Sequence, residues 1–231
     1  EAGRVAGVRT DRPDGDLRAR VVIACDGVNS FLAKEARLLP RTDAAHHTLG
    51  VKEVLALPRE VIDERFGLRG DEGADIEILG CTDGIPGGGF LYTNGDTLSV
   101  GVVLSLRHLA ESGRRPEEVL AGLKAHPAIA PYLKGATLKE YGAHLIPEGG
   151  YDHMPALHTD GMLVAGDAAG LLDPWTREGI SFALRSGALA GAAAASGDLA
   201  QYESTVESTL APVMAASRRL LRLFERHPGA C

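Results

Sequence analysis

Cysteine is scarce. Only Cys25, Cys81 and Cys231 occur in 231 residues, and no two stand in a CxxC spacing. That excludes a disulfide scaffold and leaves no ligand set for a Cys-bound zinc or iron–sulfur cluster, and it fits a reducing compartment. Aromatic residues make up 5% of the chain, too few for base-stacking platforms. Positive charge is also in deficit. There are 24 Lys and Arg against 31 Asp and Glu, a net charge of −7, and an acidic chain without clustered cations does not neutralise nucleic-acid phosphates. No apolar run approaches the roughly 20 residues of a membrane span. An initiator Met and a signal peptide are missing, and the chain opens almost directly into a strand-like run. The expectation is a piece of a longer protein whose N-terminal portion lies elsewhere.

What is present is globular: 45% apolar and 24% charged residues, with 29 glycines. That balance suits one or two folded domains with many tight turns or close backbone approaches. Arg4–Thr10 and Leu17–Ala24 read as strands joined by the turn-rich Asp11–Asp16. The second run ends in a continuous apolar stretch, the pattern of a strand covered on both faces. It leads through Cys25-Asp26-Gly27 into a helical run, Phe31–Arg37. A strand, an Asp-Gly turn and a helix together place backbone N–H groups where anions are welcome, although a plain connection reads the same way.

From Leu49 to Ser105 the character is antiparallel β. Asn94-Gly95 is the strongest hairpin signal. Closing the turn there pairs Leu91 with Leu98 and puts Phe90, Tyr92, Thr97 and Ser99 on the opposite face, a pocket wall or a wet surface. Pro116–Lys124 and Pro127–Leu133 read as helices, and Leu138–Leu145 as a strand. Gly161–Asp167 is a second buried strand, ending in Gly166-Asp-Ala-Ala-Gly170. A short loop then leads into an Ala-rich helix from about Glu178 to Ala195. A last amphipathic helix over Leu199–Glu225 should be kinked or split at Pro212.

Gly166-Asp167 is the most informative position. An Asp at the end of a buried strand, before small residues and a helix, is a ligand position in α/β folds, and its carboxylate accepts hydrogen bonds from sugar hydroxyls. The helix opening near Glu178-Gly179-Ile180 can aim N–H groups at a negative charge such as that of a reduced flavin. Gly-Asp alone is common; strand, Gly-Asp-Ala-Ala-Gly, Pro174, Gly179 and Ala-rich helix in series are far more specific. Histidines 46, 47, 144, 153 and 158 show no metal-ligand spacing and read as polar loop or core residues. Asp152 and Asp160 beside His153 and His158 form a loop cluster without a defined role. Glu203, Glu207, Arg218, Arg219 and Arg222 read as a solvated helix face.

Val22-Ile-Ala-Cys-Asp-Gly-Val-Asn-Ser30 resembles the internal Asp-Gly motif of flavoproteins with the p-hydroxybenzoate-hydroxylase type of FAD domain, and Val164–Gly170 resembles their second FAD-contacting motif. Gly87-Gly-Gly-Phe-Leu-Tyr-Thr-Asn94 and His144–Gly150 are similar to the FixC branch of the electron-transfer-flavoprotein:quinone oxidoreductase and geranylgeranyl reductase family. The resemblance runs from about residue 1 to 226. Three features depart from that family: the opening Gly-x-Gly-x-x-Gly, the Cys-rich cluster domain and the Tyr-x-Trp-x-Phe-Pro pattern of the lipid reductases are all absent.

The resemblance implies an α/β fold. An FAD domain would use residues 1–45 and 150–231, with an antiparallel-sheet domain, 46–149, inserted and the first βαβ unit missing. It implies a cytoplasmic FAD-dependent oxidoreductase, with peripheral contact at the inner membrane face. Its electrons would pass from an electron-transfer flavoprotein to a quinone or a ferredoxin-like protein. The alternatives are a prenyl-lipid reductase and a fragment unable to hold FAD alone. Asp26, Gly27, Gly166, Asp167, Pro174, Gly179 and Ile180 would bind the cofactor. Gly87, Gly88, Phe90 and Tyr92 would line the acceptor side. The flavin carries the redox chemistry, so no catalytic side chain and no metal is expected.

Overall fold

The computed structural model describes residues 3–39, 43–149 and 153–226. Gly150, which closes the His144–Gly150 motif, and Asp152 lie outside them. The chain divides into two compact units, one of residues 1–46 and 146–231, the other of residues 47–145.

In the first unit, β1 (Gly7–Val8) and β2 (Leu17–Arg18) form a small antiparallel ladder. The expected single strand from Leu17 to Ala24 is broken. Its end, β3 (Val22–Ala24), joins a different sheet. The exposed Ala19-Arg20 between them is where the chain leaves one ladder for the other. Helix α1 (Phe31–Glu35) follows, capped by the buried Ser30, whose Oγ accepts the Ala33 N–H at 3.1 Å.

The second unit is a five-stranded sheet with helices. Its strands are β4 (His47–Ala56), β5 (Asp75–Ile78), β6 (Gly87–Asn94), β7 (Thr97–Ser105) and β8 (Thr137–Pro147), in the order β5-β6-β7-β4-β8, antiparallel from β5 through β6 and β7 to β4. Helices α2 (Arg59–Phe66), α3 (Leu106–Ser112), α4 (Pro116–Ala125) and α5 (Ala130–Leu133) complete it. Leu91, Leu98, Val100, Val102 and Leu104 meet Leu120 and Leu123 of α4 in its core.

The hairpin falls one residue later than expected. Asn94 pairs with Thr97, so Gly95-Asp96 is the turn, and Leu91 faces Val100 rather than Leu98. Positive φ is taken by Gly95 alone (68°), which suits a II′ turn rather than the I′ turn that Asn-Gly favours. Moving the turn by one residue shifts the pairing by two, so every side chain keeps its face.

The chain returns to the first unit through β9 (His158–Thr159) and β10 (Met162–Val164). β10 pairs in parallel with β3 and antiparallel with β9, giving the order β3-β10-β9. A 3-10 turn, Gly166–Ala169, leads through a loop to α6 (Ile180–Ser196). α7 (Leu199–Thr209) and α8 (Ala211–Arg226) are the two halves of the last helix. The break falls at Leu210, so Pro212 sits in the first turn of α8, where its missing N–H is not needed. The core gathers Leu163, Val164, Phe182, Tyr202, Val206 and Met214. The polar residues of the last helix are not all solvated: His158 Nδ1 lies 2.6 Å from Glu203 Oε2, and Arg218 Nη1 donates to the Glu148 carbonyl at 2.7 Å.

Candidate functional site

The parallel pair β3 and β10 ends on the same side. Val164 is level with Ala24, and the Ala165 N–H donates to the Ala24 carbonyl at 3.0 Å. The turns beginning at Asp26 and Gly166 therefore leave the sheet next to one another, at the carboxyl ends of adjacent parallel strands. That is where α/β sheets hold ligands.

The Asp26 carboxylate is engaged by its own turn. Ser30 Oγ donates to Oδ1 at 2.5 Å, and the Leu32 N–H to Oδ2 at 3.2 Å. Asp26 thus fixes the entry to α1. Gly27 has φ 78° with nothing near its missing side chain, and its carbonyl accepts the Ser30 N–H at 2.9 Å.

Gly166 is buried with φ 61°, and a Cβ there would stand 3.3 Å from Ala183 Cβ of α6. Its N–H donates to the buried Ser186 Oγ at 3.0 Å. Ser186 is the one polar member of the inward row Phe182, Ser186, Ala190 and Ala193. That 3–4 spacing is the signal by which it could have been found in the sequence. Tyr202 of α7 donates to the Val164 carbonyl at 2.8 Å and braces the same strand end; burial, its largest influence, pushes its phenol up.

Asp167 differs from Asp26. Among the described residues nothing donates a hydrogen bond to its carboxylate. It leans over Gly179, where a Cβ would stand 3.1 Å from Oδ1. Asp167 is an exposed residue, and the desolvation of its carboxyl by the surrounding chain raises it from its ordinary value. Pro174 is buried and Ile180 is exposed. The opening amides of α6 have an occupant of their own. Glu178 Oε1 accepts the Ser181 N–H at 2.7 Å, and Oε2 accepts Ser181 Oγ at 2.5 Å. These bonds, side chain first, hold the Glu178 carboxyl low. Neither the glycine motif nor the Asp-Gly motif pointed to Glu178.

On β6 the alternation separates the acceptor-side residues. Gly88, Phe90 and Tyr92 share one face, and Gly87 belongs to the other with Leu91. The Phe90 and Tyr92 rings stack with centroids 5.3 Å apart. Phe90 lies over Gly101, its partner on β7, so closely that a Cβ there would overlap the ring. The glycine run serves packing at two of its three positions. A Cβ on Gly87 would overlap the Val103 carbonyl, and one on Gly89 would stand 2.7 Å from Cys81 Sγ and 2.9 Å from Leu123 Cδ2. Gly88 has only the Ile78 carbonyl nearby, at 3.4 Å. No group of three or more His, Cys, Asp or Glu converges as a metal site among the described residues. No helix among them is long and apolar enough to cross a membrane.

The fold is that of flavin-dependent enzymes. A geranylgeranyl bacteriochlorophyll reductase-like protein from Thermoplasma acidophilum superposes with a TM-score of 0.72 at 19% identity, over 95% of this chain and 55% of that one. A triple mutant of the flavin-dependent brominase Bmp2 gives 0.61 at 18% identity, over 99% and 58%. No family model matches. Among curated proteins, FixC of Salmonella typhi is 49% identical over 171 residues, 73% of this chain and 39% of its own length. FixC of Escherichia coli K12 is 42% identical over 240 aligned residues, 98% of this chain and 54% of its own. The chain belongs to the FixC family, and it spans about half the length of the curated relatives it matches.

Proposed function

We propose that this chain is part of an FAD-dependent oxidoreductase. In this reading its first unit holds the flavin, and the electrons come from an electron-transfer flavoprotein and go to a quinone or a ferredoxin-like protein. The observation that carries the reading is the unpartnered Asp167 carboxylate over Gly179, at the carboxyl ends of adjacent parallel strands. An exposed carboxylate with no donor among the described residues suits hydroxyl groups brought by a ligand, and the missing side chain of Gly179 leaves it room. The residues therefore fit a ribityl chain and its ring.

FAD supplies the electron-carrying chemistry when bound. The protein's part is binding, orientation and field. Asp167 accepts hydroxyl hydrogen bonds. Gly27 and Gly166 supply left-handed turns, the first with nothing beside it and the second packed against Ala183 of α6. Ser186 and Tyr202 brace the end of β10. Asp26 holds the start of α1 rather than meeting the ligand through its carboxylate. In the second unit, Gly88, Phe90 and Tyr92 form the acceptor-side face, and Gly87 supports it from behind.

Identity to FixC over most of the chain favours the electron-transfer reading over the prenyl-lipid reductase. The test is reduction of the full-length protein's flavin by reduced electron-transfer flavoprotein, followed by reoxidation with quinone or ferredoxin in separate assays. Reoxidation by either acceptor supports the proposal. A flavin that neither accepts nor passes electrons in these assays, but turns over an unsaturated prenyl lipid, overturns it.

A further inference from the structure

The loop between Gly170 and α6 is held at both of its sides. The Asp173 N–H donates to the Glu178 carbonyl at 2.9 Å, and the Arg177 N–H to the Asp173 carbonyl at 2.8 Å. The Asp173 carboxylate accepts the Trp175 and Thr176 N–H groups at 2.8 and 2.9 Å, and Ser217 Oγ of α8 at 2.5 Å. Burial alone would push this carboxyl up, and the bonds from Ser217, Thr176 and Trp175 together bring it below the ordinary range.

Closing the turn in this way puts Arg177 at φ 59°, a left-handed conformation that glycine takes freely and arginine does not. The guanidinium makes an ion pair with Glu148. The two side chains are 27% and 15% exposed, so water screens the pair only in part. Glu148 is itself fixed by its backbone. Its N–H donates to the His46 carbonyl at 2.7 Å, and its carbonyl accepts Arg218 Nη1 at 2.7 Å. One residue thus joins the loop, α8 and the segment through which the chain leaves the first unit.

We infer that Arg177 and Glu148 are a positioning pair for the flavin. They hold the Asp173–Glu178 turn, and with it Gly179 and the start of α6, and they balance each other's charge at that turn. The inference rests on the flavin reading above. A purely structural brace and a positioning pair with this charge balance make different predictions. Losing a brace lowers stability and flavin content from either side alike. Losing one charge of a balanced pair moves the flavin potential in opposite directions, because an uncompensated cation favours reduced flavin and an uncompensated anion disfavours it.

The experiment measures midpoint potential, flavin content and thermal midpoint in the full-length protein for Glu148→Gln, Arg177→Gln and the double variant. We expect Glu148→Gln to raise the potential and Arg177→Gln to lower it. Each should change the relative affinity for reduced and oxidised flavin about tenfold, which is about 30 mV for a two-electron couple. The double variant should return close to wild type. Arg177→Gly, which relaxes the backbone and removes the charge, should shift the potential as Arg177→Gln does; it also serves if Arg177→Gln does not fold.

Unshifted potentials, or shifts of one sign only, overturn the inference. Asp167→Ala, measured in parallel, separates its failure from that of the site. Flavin affinity unchanged by Asp167→Ala removes the site reading and this inference with it. Flavin weakened by Asp167→Ala with potentials unmoved at the pair removes this inference alone.

Discussion

Gly87 and Gly89 of the second unit and Gly179 of the first put the space of a missing side chain to opposite uses. In the second unit the space left by Gly87 and Gly89 is filled by the protein itself: by the Val103 carbonyl, Cys81 Sγ and Leu123. In the first unit the space over Gly179 is bordered by a carboxylate that no described residue satisfies. Three glycines in a row look more like an opening for a ligand than a single one does, yet the run is mostly packed shut. What separates the cases is the neighbour: packed backbone and side-chain atoms in one unit, a solvent-exposed carboxylate without a protein hydrogen bond in the other.

The sharpest way to break this comparison lies within the run itself. Gly87→Ala drives a methyl group into a backbone carbonyl, and overpacking of this kind costs roughly 3 kcal/mol. Gly88→Ala meets only ordinary contact and should change stability by less than about 0.5 kcal/mol. Urea unfolding of the two variants checks both values. Equal costs would show that the two faces of β6 do not differ as described. Loss of flavin in Gly88→Ala at unchanged stability would sharpen the acceptor-side proposal.

Asp167→Ala comes next. Removing an acceptor that carries charge costs about 1.5–3 kcal/mol of binding, at least tenfold in flavin affinity. Fluorescence titration of the flavin-free full-length protein measures this directly. Asp26→Ala should act in the other manner. Its carboxylate is used by Ser30 and Leu32, so its loss should cost about 1 kcal/mol of stability, as a lost helix cap does. Thermal unfolding of the flavin-free protein should show that loss. Two Asp residues at neighbouring strand ends would then report on different things, one on the ligand and one on the fold.

How much of this was legible in the sequence follows from the range of each interaction. Local chemistry was readable. The turn at Gly166, the helix start after Gly179 and the split near Pro212 depend on residues within a few positions, and the alternation on β6 and β7 survived a displaced turn because a two-residue shift preserves the faces. The break after Arg18 was not readable, since the apolar run through Ala24 shows no sign that its two ends serve different sheets. Leu106–Ser112, whose helix begins directly at the end of β7, and the two-residue β9 were not anticipated either. Interactions distant in sequence were invisible. Glu148 meets Arg177 and Arg218 across 29 and 70 positions, and nothing in their spacing sets them apart from a charged surface. Glu178 is a middle case: its place before a helix was visible, but not that its carboxylate would take the amides expected to face a ligand.

The smallest effect is the most diagnostic. Desolvation by the surrounding chain, with no compensating hydrogen bond, raises the Asp167 carboxyl above its ordinary value. A carboxyl whose pKa is higher in the folded state favours folding while protonated. That contribution is complete below the unfolded value of about 3.9 and is lost as pH rises through the folded value. At neutral pH the charged Asp167 therefore works against the flavin-free fold. Asp167→Asn keeps the shape and removes the charge, so the flavin-free variant should be slightly more stable than wild type at pH 7, and the gap should close as the pH falls below about 4. The same substitution should weaken flavin binding, because an amide is a poorer acceptor than a carboxylate. A structural Asp loses stability when neutralised; a ligand-binding Asp, kept charged at a cost to the fold, gains it. Chemical denaturation of wild type and Asp167→Asn across pH 3 to 8, without flavin, reads the sign. Destabilisation at pH 7 would make Asp167 a second Asp26, and the difference between the two strand ends would disappear.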